Sequence, residues 1–112
     1  MEQTMRQVLS PERRTKHRIF CDYPAIVQGW DENGVKFTEN ARVTNLSSCG
    51  VFISTRQFIR NNTEVHLKIA LPTGTLKWGS SKLVTSGLVM RSELQSNGMV
   101  SIAIKFLDYK FI

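Results

Sequence analysis

Glu64-Val65-His66-Leu67-Lys68-Ile69-Ala70-Leu71 alternates without a break. Val65, Leu67, Ile69 and Leu71 take one face, while His66, Lys68 and Ala70 take the other. A period of two means an extended strand with one face buried and one wet. Working outward, the same period returns. Ahead of it, Gly50 to Ser54 and Val35 to Leu46 read as strands, and so does Ala25 to Trp30. Ile19-Phe20-Cys21 begins an extended segment that Asp22-Tyr23-Pro24 is expected to break. Behind it, Thr75 to Trp78 and Lys82 to Leu94 are strand-like, and Met99 to Phe106 is the last strand. Thr55 to Asn62 is the least strand-like interior part and has room for one helical turn.

The punctuation fits this reading. Asp31-Glu32-Asn33-Gly34 and Gln95-Ser96-Asn97-Gly98 are Asn-Gly hairpin signals, in which both central residues are expected at positive φ. Pro72-Thr73-Gly74 is a turn; Gly79-Ser80-Ser81 and Gly87 mark bends or bulges. Many short strands joined by such turns indicate an all-β fold. The expected form is a small antiparallel barrel of about six strands, whose closure removes exposed edges.

At 112 residues the chain has the length of one domain. Hydrophobic residues make up 41%, enough for a core. No apolar run approaches the roughly 18 residues of a membrane span, and no secretory h-region is visible, so a cytoplasmic location is expected. Cys21 and Cys49 lack CxxC spacing and read as reduced thiols, which could be neighbours in space.

The net charge is +6, which favours an anionic partner. Residues 1–18 carry Arg6, Arg13, Arg14, Lys16 and Arg18 against Glu2 and Glu12, so half the excess lies in the first sixth of the chain. That concentration suits a compact anionic ligand better than a long polyanion. No catalytic constellation stands out. His17 and His66 have no metal-ligand spacing, Ser47 and Ser48 have no evident base, and neither GxxxxGK[ST] nor GxGxxG occurs. The chain therefore reads as a non-enzyme without a cofactor.

Two short stretches sharpen this. Arg14-Thr15-Lys16-His17-Arg18 has the pattern RxxxR, and Asn45-Leu46-Ser47-Ser48-Cys49-Gly50 the pattern [D/N]xSxxG, 27 positions after Arg18 and leading into a Gly-Val-Phe-Ile strand. In that order the pair resembles a PilZ domain, from about Arg13 to Phe106. The resemblance implies a small β-barrel receptor for the bacterial second messenger cyclic di-GMP. It also implies roles. Arg14 and Arg18 grip phosphate or guanine with the planar guanidinium fork. Asn45 and Ser47 contact a guanine edge, and Gly50 shapes the turn and lets ligand approach. Arg13 and Lys16 raise the local potential, with Arg13 counted among the ligand-binding residues. Arg91 on a late strand is a further candidate for the same side.

If residues 45–47 are extended, Asn45 and Ser47 share the outer face and Leu46 points inward. The expected layout is a tail over 1–12, a barrel with its arm over 13–107, and a C-terminal tail over 108–112. The helix that commonly follows the last strand in this family is expected to be absent. The expected partners are cyclic di-GMP and a downstream protein, with a homodimer left open and nucleic acid disfavoured. The rival readings are a barrel that binds single-stranded nucleic acid and a degenerate module that makes only protein contacts. The aromatics Trp30, Phe37, Phe52 and Trp78 lack an interleaved basic stripe, which counts against the first.

Overall fold

The computed structural model describes residues 19–72 and 82–112. It contains six strands: β1 (Ile19–Trp30), β2 (Lys36–Leu46), β3 (Gly50–Thr55), β4 (Glu64–Ala70), β5 (Lys82–Leu94) and β6 (Val100–Phe111). They close into a barrel in the order β1-β2-β3-β6-β5-β4, and β4 pairs back onto β1. All neighbouring strands are antiparallel. Among the described residues there is no helix.

The alternation that marks the strands also builds the core. Val65, Leu67 and Ile69 of β4 are buried, and they meet Val27, Val43, Ile53, Val89 and Ile102 from the other strands. Each such side chain contributes about 1.5–3 kcal/mol by leaving water. Two hydroxyls share this interior and both are satisfied. Thr55 Oγ1 donates to the Asn40 carbonyl at 2.9 Å, and Thr85 Oγ1 donates to the Asp108 carbonyl.

Four local readings differ from expectation. First, β1 does not break at Asp22-Tyr23-Pro24. It carries a bulge between Phe20 and Tyr23 and continues. Pro24 is tolerated because its partner on the β2 side is Arg42, while pairing with β4 starts only at Ala25. Second, both Asn-Gly hairpins hold one positive φ, at Gly34 (78°) and Gly98 (85°), and neither Asn33 nor Asn97 is left-handed. Gly34 N donates to the Asp31 carbonyl and Gly98 N to the Gln95 carbonyl, which is a type I turn closed by a left-handed glycine. The longer loops make the mirror-image turn unnecessary.

Third, residues 56–63 form no helical turn. They cross the barrel mouth, where Ile59 plugs the core at 3% exposure. Asn62 sits at φ 70° and its N–H donates to the Val89 carbonyl at 2.7 Å. Because a left-handed backbone penalises a Cβ without a compensating side chain, Asn62→Ala is expected to cost about 1 kcal/mol and lower Tm by several degrees. Asn62→Gly should hold close to the parent melting temperature in the same calorimetric scan.

Fourth, β6 runs on to Phe111, so residues 108–111, read as a tail, are the last third of the strand. Gly87 faces Phe106 and Leu107 is the extra residue of a bulge, after which Asp108 pairs with Ser86 and Phe111 with Leu83. The strand expected over Thr75 to Trp78 and the bend at Gly79-Ser80-Ser81 lie outside the described residues.

Candidate functional site

β2 and β3 meet in a tight turn at 47–49. Ser47 holds it: its N–H donates to the Gly50 carbonyl at 3.0 Å, its hydroxyl donates to the same carbonyl at 3.3 Å, and it accepts from Cys49 N at 3.3 Å. The hydroxyl of Ser47 is therefore first a turn former, a use of serine that competes with ligand contact. Gly50 also has a structural reason. A Cβ at this position would collide with the Ile104 carbonyl oxygen of β6, a backbone atom that has no freedom to swing aside. Its φ is not left-handed. Close approach of two backbones, and not an unusual turn, demands glycine here.

Asn45 is different. A bulge between Val43 and Asn45 inserts Thr44 as an extra residue on β2. Val43 stays in the core, and Asn45 is placed on the outer face opposite Phe52. Leu46, one residue on, packs against the core as expected. No hydrogen bond from the Asn45 amide is present among the described residues, so its donors and its acceptor remain available.

Asn45, Ser47 and Gly50 line one hollow of about 270 Å³ on the outside of the barrel, together with Cys49, Phe52, Met90, Ala103 and Lys105. The register explains the grouping. Phe20 of β1 pairs with Asn45, Asn45 with Phe52, Phe52 with Ala103, and Ala103 with Arg91. Directly paired residues share a face, so these five form one row around the barrel wall. Ala103 leaves a gap in the middle of that row. Phe20 stands at one end with 81% of its surface exposed. At the other end a second bulge inserts Met90 between Val89 and Arg91. Arg91 lies over the Phe52 ring at 5.8 Å.

Of the residues singled out from sequence, the structure brings Asn45, Ser47 and Gly50 together and places Arg91 on the same row. Arg13, Arg14 and Arg18 lie outside the described residues. Sequence reading missed Phe20, Ala103, Met90 and Lys105 as parts of the site. Nothing local marks them, because the register that assembles them joins residues up to about 80 positions apart.

The hollow's surroundings carry little perturbed chemistry. Burial, with a smaller contribution from the Asp22 carboxylate, pushes the Cys21 thiol up, so it stays protonated at neutral pH. Cys21 Sγ points to the Val43 carbonyl, and both cysteines are free thiols. A hydrogen bond from Arg42 holds the Asp22 carboxyl below its ordinary range. Arg42 Nε reaches Asp22 Oδ1 at 2.7 Å across the β1 bulge and steadies the strand entry beside Phe20. Among the described residues no cluster of three metal-ligating side chains exists.

A larger hollow, about 660 Å³, lies at the opposite end of the barrel between Trp30, Phe37, Phe58 and Arg60. Size does not make it the better candidate. It contains none of the motif residues, and its Arg60 is already paired with Glu32.

No family model and no curated protein matches the sequence. Solved structures do match the fold. The PilZ domain with c-di-GMP of YcgR from Escherichia coli aligns with a TM-score of 0.56 at 14% identity, over 87% of this chain and 79% of that one. The K. pneumonia MrkH-c-di-GMP complex aligns at 0.57 and 14%, and MrkH in its apo state at 0.52 and 17%. This chain covers 88% and 94% of itself in those two alignments and spans 46% of each MrkH chain. The barrel is PilZ-like in fold.

Proposed function

We propose that this domain is a non-catalytic receptor for cyclic di-GMP. The observation that carries the reading is the hollow itself: Asn45, Ser47 and Gly50 converge there on a barrel whose structural neighbours include two complexes with c-di-GMP. The connection to the basic run supports it. Ile19, which follows Arg18 in the chain, is paired with Leu46, and Phe20 is paired with Asn45.

In this reading Arg14 and Arg18 supply guanidinium forks for phosphate and guanine, and Arg13 adds positive potential. Asn45 offers a guanine edge both an acceptor and two donors. Phe20, largely exposed, offers ring surface beside Asn45, and base–aromatic stacking contributes about 1–3 kcal/mol per base. Ser47 acts mainly by holding the turn, with its hydroxyl at the wall of the hollow. Lys105 adds a second cation from β6. Binding fixes the basic arm against the barrel, and the altered surface is read by a downstream protein in the cytoplasm.

Calorimetric titration with cyclic di-GMP tests this, with GMP and cyclic di-AMP as controls. Saturable heat with cyclic di-GMP, at much higher affinity than with cyclic di-AMP and with none from GMP, is the expected result, and the stoichiometry separates one ligand from a stacked pair. Absence of both heat and thermal shift would sink the receptor reading. Oligonucleotide binding with steep salt dependence would favour a single-strand nucleic-acid barrel instead.

A further inference from the structure

The motif residues do not exhaust the site. Arg91 belongs to neither motif, yet the register places it on the row Asn45–Phe52–Ala103–Arg91. It stands three strands from Asn45, roughly 14 Å across the sheet at about 4.8 Å per strand. Between them lie Phe52, whose ring Arg91 reaches across, and the small Ala103. The bulge at Met90 is what turns Arg91 outward: Val89 is fully buried, Met90 is half exposed, and Arg91 follows on the outside with 59% of its side chain exposed.

How Arg91 is held matters more than where it stands. Its guanidinium rests on the Phe52 ring, 5.8 Å from the centroid. A cation–π contact of this kind spends none of the guanidinium N–H donors on an oxygen acceptor. The ion-pair partner of Arg91, Glu93, places Oε2 3.7 Å from Nε, outside hydrogen-bond range. That exposed pair contributes little and is easily exchanged. The row therefore carries an arginine fork, set beside the Phe52 ring, that makes no hydrogen bond among the described residues.

Arginine donates in bidentate fashion to O6 and N7 of guanine. Adenine carries an amino group in place of O6, a donor that meets the fork donor-to-donor. We propose that Arg91 is a specificity-determining residue that reads the Hoogsteen edge of one guanine from the barrel wall, opposite Asn45. This rests on the cyclic di-GMP reading above and adds to it the source of base selectivity.

The full chain, as parent, Arg91→Ala and Arg91→Lys, is titrated with cyclic di-GMP and with cyclic di-AMP, and the ratio of the two affinities is compared. Both variants are expected to lose about tenfold or more of the parent's preference for cyclic di-GMP, since a bidentate pair is worth about 1–3 kcal/mol of discrimination. Lysine keeps the charge, so Arg91→Lys should retain the parent's salt dependence while still losing the preference. Melting temperature should stay at the parent value in both, as expected for an exposed side chain. An unchanged affinity ratio in both variants would overturn the assignment while leaving the receptor reading in place. A parent protein that binds neither dinucleotide would overturn both.

Discussion

The double variant Arg14→Ala/Arg18→Ala is expected to bind cyclic di-GMP at least two orders of magnitude more weakly than the parent. Each hydrogen-bonded contact to a charged group contributes about 1.5–3 kcal/mol, so losing two costs about 3–6 kcal/mol, or two to four decades in Kd. The single variants should each lose part of this. Lysine at either position should recover only a fraction, because it restores a point charge without the planar fork. Titration calorimetry measures the affinities, and a melting scan on the same samples separates loss of ligand from loss of fold. Parent-like affinity in both single variants would remove the basic run from the site.

Gly50→Ala is expected to destabilise the barrel strongly. The added methyl group meets the Ile104 carbonyl oxygen, which is held in the β3/β6 ladder by the pairing of Gly50 with Lys105 and Val51 with Ile104. The strands must separate or the turn at 47–49 must shift. Overpacking of this kind costs about 1–3 kcal/mol and sometimes more. For a domain of this size that lowers Tm by roughly 4–8 °C per kcal/mol. Gly29→Ala is the comparison. There the methyl group meets mainly the tip of the Phe37 ring, at 2.9 Å, and a side chain gives way more easily than a backbone. A Gly50→Ala melting temperature within a degree of parent, with Gly29→Ala lower, would refute this account. Because the turn also forms one wall of the hollow, ligand affinity should fall with stability in Gly50→Ala.

The barrel was legible because its signal is local. Val65, Leu67 and Ile69 announce a half-buried strand within seven residues, and the glycines at 34 and 98 mark the hairpins. The extent of the elements was less so. Pro24 and Asp108 look like terminators, and both lie inside strands. A proline is tolerated where one neighbour is missing, and a bulge at Leu107 lets β6 resume after Phe106. Neither condition is written near the residue it rescues.

The same division holds for the site. Asn45, Ser47 and Gly50 form a contiguous motif and were readable as one. Their separate duties were not: Ser47 braces a turn, Gly50 admits a neighbouring carbonyl, and Asn45 alone keeps its polar groups unspent among the described residues. Phe20, Ala103 and Arg91 join them only through the closed ladder, which depends on every strand's register at once.

An even number of alternating strands has a practical outcome. β1 begins and β6 ends at the pole that carries the 47–49 turn, and both Asn-Gly hairpins project from the other pole. The left-handed glycines at 34 and 98 must stay as they are, but Asn33 and Ser96 beside them in the turns are exposed. Those two tips are natural handles. A fluorophore, a surface tether or an inserted reporter placed there would stand a full barrel length from the hollow. The same cargo attached beside Ile19 or Phe111 would crowd it.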